Sequence, residues 1–171
     1  EDGIRDFCLS RGLGDVYKRQ VFGVVHAPAT RTTWSGGTTI PSRRDGPEGN
    51  GLIMVSPSSK DEPTRLVASG THRGAKDEEF ADAVGRHELI RMGSSLKACV
   101  VAEGKADLYP RFGPTSCWDI AAAHSVVMAA GGAVVGPDGR SLDYDLVDDV
   151  LNPFFLVTSD NRWVETWVET Q

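Results

Sequence analysis

Residues 118–130 form an apolar, alanine-rich helix pattern, entered from Gly113-Pro114-Thr115 and stopped by Gly131-Gly132. This helix sits among short strands and helices that alternate along the chain, and that alternation restricts the fold to the α/β class. Its start carries one carboxylate, Asp119. An acid there gains from the helix dipole and from the unpaired N–H groups of the first turn. The same place suits a carboxylate that holds a divalent cation against a phosphate. Asp is also a preferred capping residue, so Asp119 has a purely structural use as well.

The other elements follow from local pattern. Residues 21–27 are a β-rich run stopped by Pro28, with 32–35 as its pairing partner before Gly36-Gly37. Residues 41–63, with four prolines and many polar residues, are expected to be flexible except for a brief strand at 52–55. A strand is expected at 65–68, then a polar turn at 69–74 and a helix at 77–86 with an acidic first turn. Further strands are expected at 88–91, 107–111, 133–135 and 154–158, and Ser94 opens a helix at 96–103 that Gly104 ends. The two ends differ from this middle. Residues 1–20 show no sustained period and resemble a translated adapter, so they are expected to be a non-native leader outside the fold. The duplicated Trp-Val-Glu-Thr of residues 163–170 is too short for a repeat architecture, and 161–171 are expected to be a frayed turn or tail.

Charge and cysteine content exclude several partners. Lys+Arg 18 against Asp+Glu 24 leaves a net charge of −6, with no basic block, which argues against a nucleic-acid polymer. A small anion stays compatible, because a few local cations override a weakly acidic whole. Three cysteines without a C-x-x-C pair suit a reducing cytosol. The sequence contains no apolar run of membrane-spanning length.

Three polar clusters, each at a turn or helix start, are candidates for one anion site. The first is Thr71-His72-Arg73, where His72 is otherwise an ordinary turn residue. The second, Gly93-Ser94-Ser95-Leu96-Lys97, sets hydroxyls beside helix-start N–H groups with a cation three residues on, a cradle for phosphate oxygens. Its alternative is a serine cap with a solvated lysine. The third is Tyr109-Pro110-Arg111-Phe112, where Arg111 either meets the anion or stacks on aromatic neighbours.

The order of these runs is specific. Gly93-Ser94-Ser95-Leu96-Lys97, then residues 101–115 (VAEGKADLYPRFGPT), then Trp118-Asp119, then Leu151-Asn152-Pro153-Phe154-Phe155 resemble the C-terminal part of bisphosphate nucleotidases of the CysQ type, in the inositol monophosphatase superfamily. The resemblance runs from about Val21 to Asp160. It implies the layered α/β sandwich of the inositol monophosphatase and sugar phosphatases. It also implies Mg²⁺-dependent removal of the 3′-phosphate from 3′-phosphoadenosine 5′-phosphate, a small bisphosphate nucleotide, giving AMP and phosphate in the cytoplasm, free or at the inner membrane surface. By position, Asp119 matches a metal ligand that also touches substrate, Ser94, Lys97 and Arg111 match substrate-binding positions, and His72 matches a nucleotide-side histidine.

Three departures accompany the resemblance. Ala123 stands where the family often has Gly, and Gly70-Thr71 where Arg-Ser is more usual. The family's Asp-Pro-x-Asp-Gly-Thr metal motif and its upstream Glu have no counterpart in residues 1–20, so the catalytic groups are expected in a missing N-terminal part and this chain alone is expected to be inactive. A non-catalytic nucleotide-binding fragment and an inositol-phosphate phosphatase are the alternatives.

Overall fold

A computed structural model describes residues 9–14, 20–69, 74–144 and 150–171, with 9–14 and Gln20 as backbone only. Two five-stranded sheets organise it. The first is antiparallel, in the order β1 (Leu9–Gly14), β2 (Gln20–Ala27), β3 (Thr32–Gly37), β4 (Ile40–Gly46) and β5 (Gly49–Leu52). The second runs in the order β7 (His87–Arg91), β6 (Thr64–Ala68), β8 (Leu108–Arg111), β10 (Phe155–Thr158) and β9 (Ala133–Val135), with β6 parallel to β7 and β8. Helices α2 (Leu96–Ala102) and α3 (Cys117–Ala129) lie between the sheets, while α1 (Ala75–Val84) and α4 (Val164–Glu169) cover the outer face of the second.

The second sheet is buried on both faces, and its side chains alternate between two cores. Val67, Tyr109, Phe155 and Val157 join the cluster built on α2 and α3, whereas Leu66, Leu108 and Leu156 join Phe80 and Trp167 under α1 and α4. This is the layered α/β sandwich expected from the sequence.

The alanines of α3 let it approach the first sheet closely. A Cβ on Gly23 of β2 would stand 2.1 Å from the Ala122 carbonyl oxygen, and one on Gly36 of β3 would stand 2.9 Å from the Ala129 methyl. Small residues on both sides are therefore the condition for this contact. Ala123, on the same helix, is fully buried. Gly131, at φ 89°, turns the chain out of the helix.

Several expectations need correction. Residues 41–63 are not flexible throughout, because β4 and β5 pair from Arg43↔Leu52 to Gly46↔Gly49 as a polar hairpin at the sheet edge. The expected strand at 52–55 gives way to the end of β5 and an extended stretch, in which Ile53 N–H donates to Ser42 O and Val55 N–H to Ala130 O, each at 2.9 Å. A polar edge strand is held by backbone bonds and carries no apolar alternation to announce it. Within residues 1–20, expected outside the fold, β1 pairs with β2 from Leu9↔His26 to Gly14↔Gln20 and closes the free edge of that strand. Within residues 161–171, a short 3₁₀ turn (Asn161–Trp163) leads into α4, whose Trp167 is fully buried, so this end is not a frayed tail.

Asp107 ties β6 to β8. Its carboxylate accepts from Arg65 N–H at 2.6 Å, the Arg65 guanidinium at 2.8 Å, and Ser58 N–H and Oγ at 2.8 and 2.9 Å. Burial alone would raise this carboxyl, but the bonds from Arg65 and Ser58 outweigh it and hold the group below its ordinary range. No helix among the described residues is long and apolar enough to cross a membrane.

Candidate active site

The turn before α2 is strained. Ser94 adopts φ 57°, uncommon for a residue with a side chain, and its carbonyl then accepts from Lys97 Nζ at 2.9 Å. Lys97 is not the solvated cation of its structural alternative. It is 5% exposed, and its ammonium lies 5.0 Å from the centre of the Tyr109 ring. Burial, and then the nearby Arg111 charge, bring its pKa down to about 8, so it remains a cation at neutral pH.

Tyr109 and Arg111 come from β8. Burial pushes the Tyr109 hydroxyl up to about 12; Arg111 opposes this, and Asp119 and Asp77 add to it. Among the described residues the cation–ring contacts involve Lys76, Lys97 and Arg162, not Arg111 as its alternative requires. Arg111 donates to Pro114 O at 3.2 Å, and its guanidinium carbon lies 3.3 Å from where a Cβ on Gly113 would stand. Among the described residues the buried Arg111 Nε–H has no partner.

Lys97, Arg111 and Tyr109 face one cleft of about 710 Å³, which Lys76 and Asp77 at the start of α1 also line. Three cations and one carboxylate thus meet in a single cavity of an acidic chain. Ser94 and Asp119 are not among its lining residues. Ser69 lines it, and the next four residues, His72 among them, lie outside the described residues.

Asp119 stands exposed in the first turn of α3. Its Oδ2 accepts from Ser116 N–H at 2.8 Å, so the capping use is realised. Asn152 fixes this corner, donating to Ser116 O at 2.8 Å and Thr115 Oγ1 at 3.2 Å, while its N–H donates to Thr115 O at 2.8 Å. The Leu-Asn-Pro run is therefore a staple for the helix start. Sequence reasoning gave no role to Asn152, Tyr109, Lys76 or Asp77. Tyr109 and Asn152 lay inside the quoted motifs; Lys76 and Asp77 followed the polar turn with no signal beyond an acidic first turn.

A divalent cation needs more than this corner offers. Mg²⁺ takes one or two carboxylates along with waters and substrate oxygens, and Asp119 has one oxygen already bonded to its cap. Among the described residues no group of three or more His, Cys, Asp or Glu side chains is gathered for a metal. The residues described do not by themselves fit a complete Mg²⁺ site.

The family model for the inositol monophosphatase family matches residues 2–163. The 3′(2′),5′-bisphosphate nucleotidase CysQ of Escherichia coli (strain K12) is 36% identical over 163 residues, 92% of this chain and 65% of that protein. Its counterpart in Salmonella typhimurium is 39% identical over the same shares. The chain thus spans 65% of the length of these curated relatives. The crystal structure of CysQ from Bacteroides thetaiotaomicron, described as a bacterial member of the inositol monophosphatase family, superposes with a TM-score of 0.74 at 30% identity, covering 84% of this chain and 59% of that one. Inositol monophosphatase II of Staphylococcus aureus shares the fold, with a TM-score of 0.76 at 15% identity, over 96% of this chain and 63% of that one. By the extent of these matches, the chain belongs to the inositol monophosphatase family.

Proposed function

We propose that the fold to which this chain contributes is a Mg²⁺-dependent phosphatase that removes the 3′-phosphate of 3′-phosphoadenosine 5′-phosphate. The observation that carries this is the convergence of Lys97 and Arg111 on one cleft. The nucleotidase relatives support it. Arg111, whose side chain lines the cleft, has the planar fork of donors that grips phosphate oxygens. Lys97 adds a partly desolvated positive charge, held in place by Ser94 O and the Tyr109 ring. Asp119 would give the metal its uncapped oxygen, with the other ligands coming from outside the described residues. Held by Asp119 and those further ligands, Mg²⁺ would supply an activated water and stabilisation of the leaving oxygen. Ser94 and His72 are proposed to hold the nucleotide beside this pair.

Phosphate release from 3′-phosphoadenosine 5′-phosphate tests this, measured for this chain and for a longer version carrying the remaining metal motif. Release by the longer version and its loss in Arg111→Ala are expected. Turnover of inositol phosphate but not of the nucleotide would overturn the substrate assignment. The bond from Ser116 to Asp119 favours a second reading for the 171-residue chain alone, a nucleotide binder without turnover. Robust release by that chain would exclude it.

A further inference from the structure

The stretch matched by the family ends at Trp163, yet the next six residues form α4, which reaches the wall of the cleft. Trp167 is fully buried and donates its indole N–H to Gly136 O at 2.8 Å. Its ring lies 4.9 Å from that of Phe112 and 5.5 Å from that of Phe80, between centroids. Phe112 lines the cleft and directly follows Arg111.

Just past the end of β8, Phe112 packs against the cluster under α1 and α4, while Arg111, the last residue of the strand, lines the cleft with Lys97. Among the described residues Arg111 has few anchors of its own, with one bond to Pro114 O at 3.2 Å and no partner for its Nε–H. Its placement therefore depends on where the backbone at Phe112 is held. The opposite wall is tied to the same segment, since Lys76 Nζ donates to Thr170 O at 3.4 Å and to Gln171 O.

We propose that α4 is a clamp on the anion cleft, in which Trp167 is a positioning residue that holds Phe112 and, through it, Arg111. The proposal rests on the reading of the cleft as a phosphate site. A packed indole restrains Phe112 from behind, and the tie from Lys76 to Thr170 keeps the α1 wall at a fixed distance. Loss of the ring would let Phe112 shift into the vacated volume and carry Arg111 off its line.

The test is equilibrium binding of adenosine 3′,5′-bisphosphate to the full 171-residue chain, with melting followed by circular dichroism. Trp167→Leu should melt cooperatively yet bind about tenfold more weakly, whereas Trp167→Phe, which keeps a ring against Phe112, should stay within about twofold of wild type. In an Arg111→Lys background, Trp167→Leu should change affinity by less than about twofold, because the residue it positions is already altered. A folded Trp167→Leu chain that binds like wild type overturns the clamp. So does an equal loss in both backgrounds, which marks a merely structural role. If Trp167→Leu does not fold, Phe112→Leu replaces it, with the same expected loss and the same dependence on Arg111. No binding by the wild-type chain overturns the phosphate reading itself, and the clamp with it.

Discussion

The ammonium of Lys97 lies 5.0 Å from the centre of the Tyr109 ring, in a side chain only 5% exposed. A buried cation over an aromatic face is held by the ring quadrupole but loses hydration. Its proton is therefore less tightly held than that of an ordinary lysine, and an arriving anion restores the balance.

Anion affinity should fall as pH rises through about 8, where Lys97 loses its charge. Stability should move the other way. The folded value lies below the unfolded 10.5, so the unfolded chain keeps its proton longer and stability rises with pH across that window. Tyr109, raised to about 12, acts in the opposite sense above 10, which leaves about 8 to 10 as the readable range. Lys97→Met should abolish both trends and stabilise the neutral-pH protein by up to about 3 kcal/mol. Urea denaturation and anion titration at pH 7, 8, 9 and 10 check this.

Asp119→Ala should cost about 1 kcal/mol through loss of the cap to Ser116 N–H, read as a lower melting temperature. In a longer version with the other metal ligands, Asp119→Asn should also weaken Mg²⁺ dependence sharply. An unchanged Mg²⁺ titration there would leave Asp119 as a cap alone.

His124 Nδ1 sits 2.9 Å from the Tyr144 hydroxyl in the core, and burial lowers its pKa to about 4. The unfolded chain takes up this proton first, at its ordinary 6.5. The stabilisation is complete above that value and is lost as pH falls toward about 4. The loss is expected to reach about 3 kcal/mol. His124→Gln, uncharged at every pH, should flatten this limb in denaturation at pH 7, 6, 5 and 4.

Gly23→Ala should destabilise the protein by about 3 kcal/mol, because the new methyl would lie 2.1 Å from a backbone oxygen of α3. Gly51→Ala, which meets nothing within 4 Å, is the control. Comparable melting temperatures for the two would show that α3 can move away from the sheet.

Local pattern revealed the buried elements well. Residues 133–135 are a strand as expected, and α1, α2, α3, β8 and β10 lie within two residues of their expected bounds. Each combines an apolar run with a punctuating Gly, Pro or Ser. The polar hairpin β4–β5 and strand β1 were not legible, because edge strands are defined by pairing with a neighbour rather than by their own composition. The sequence offered Lys97 and Arg111 as candidates for one anion site, and the structure brings both to one cleft. The capping of Asp119 was legible as an alternative, and that alternative is the bond the structure contains.

By itself the sequence determined the α/β class and the succession of buried elements, since spacing and residue type act locally along the chain. Only the tertiary structure decided that Lys97 is buried rather than solvated, that Lys76 and Asp77 line the same cleft, and that Trp167 of α4 packs on Phe112. These depend on side chains distant in sequence competing for the same volume, and close packing alone settles which of them meet.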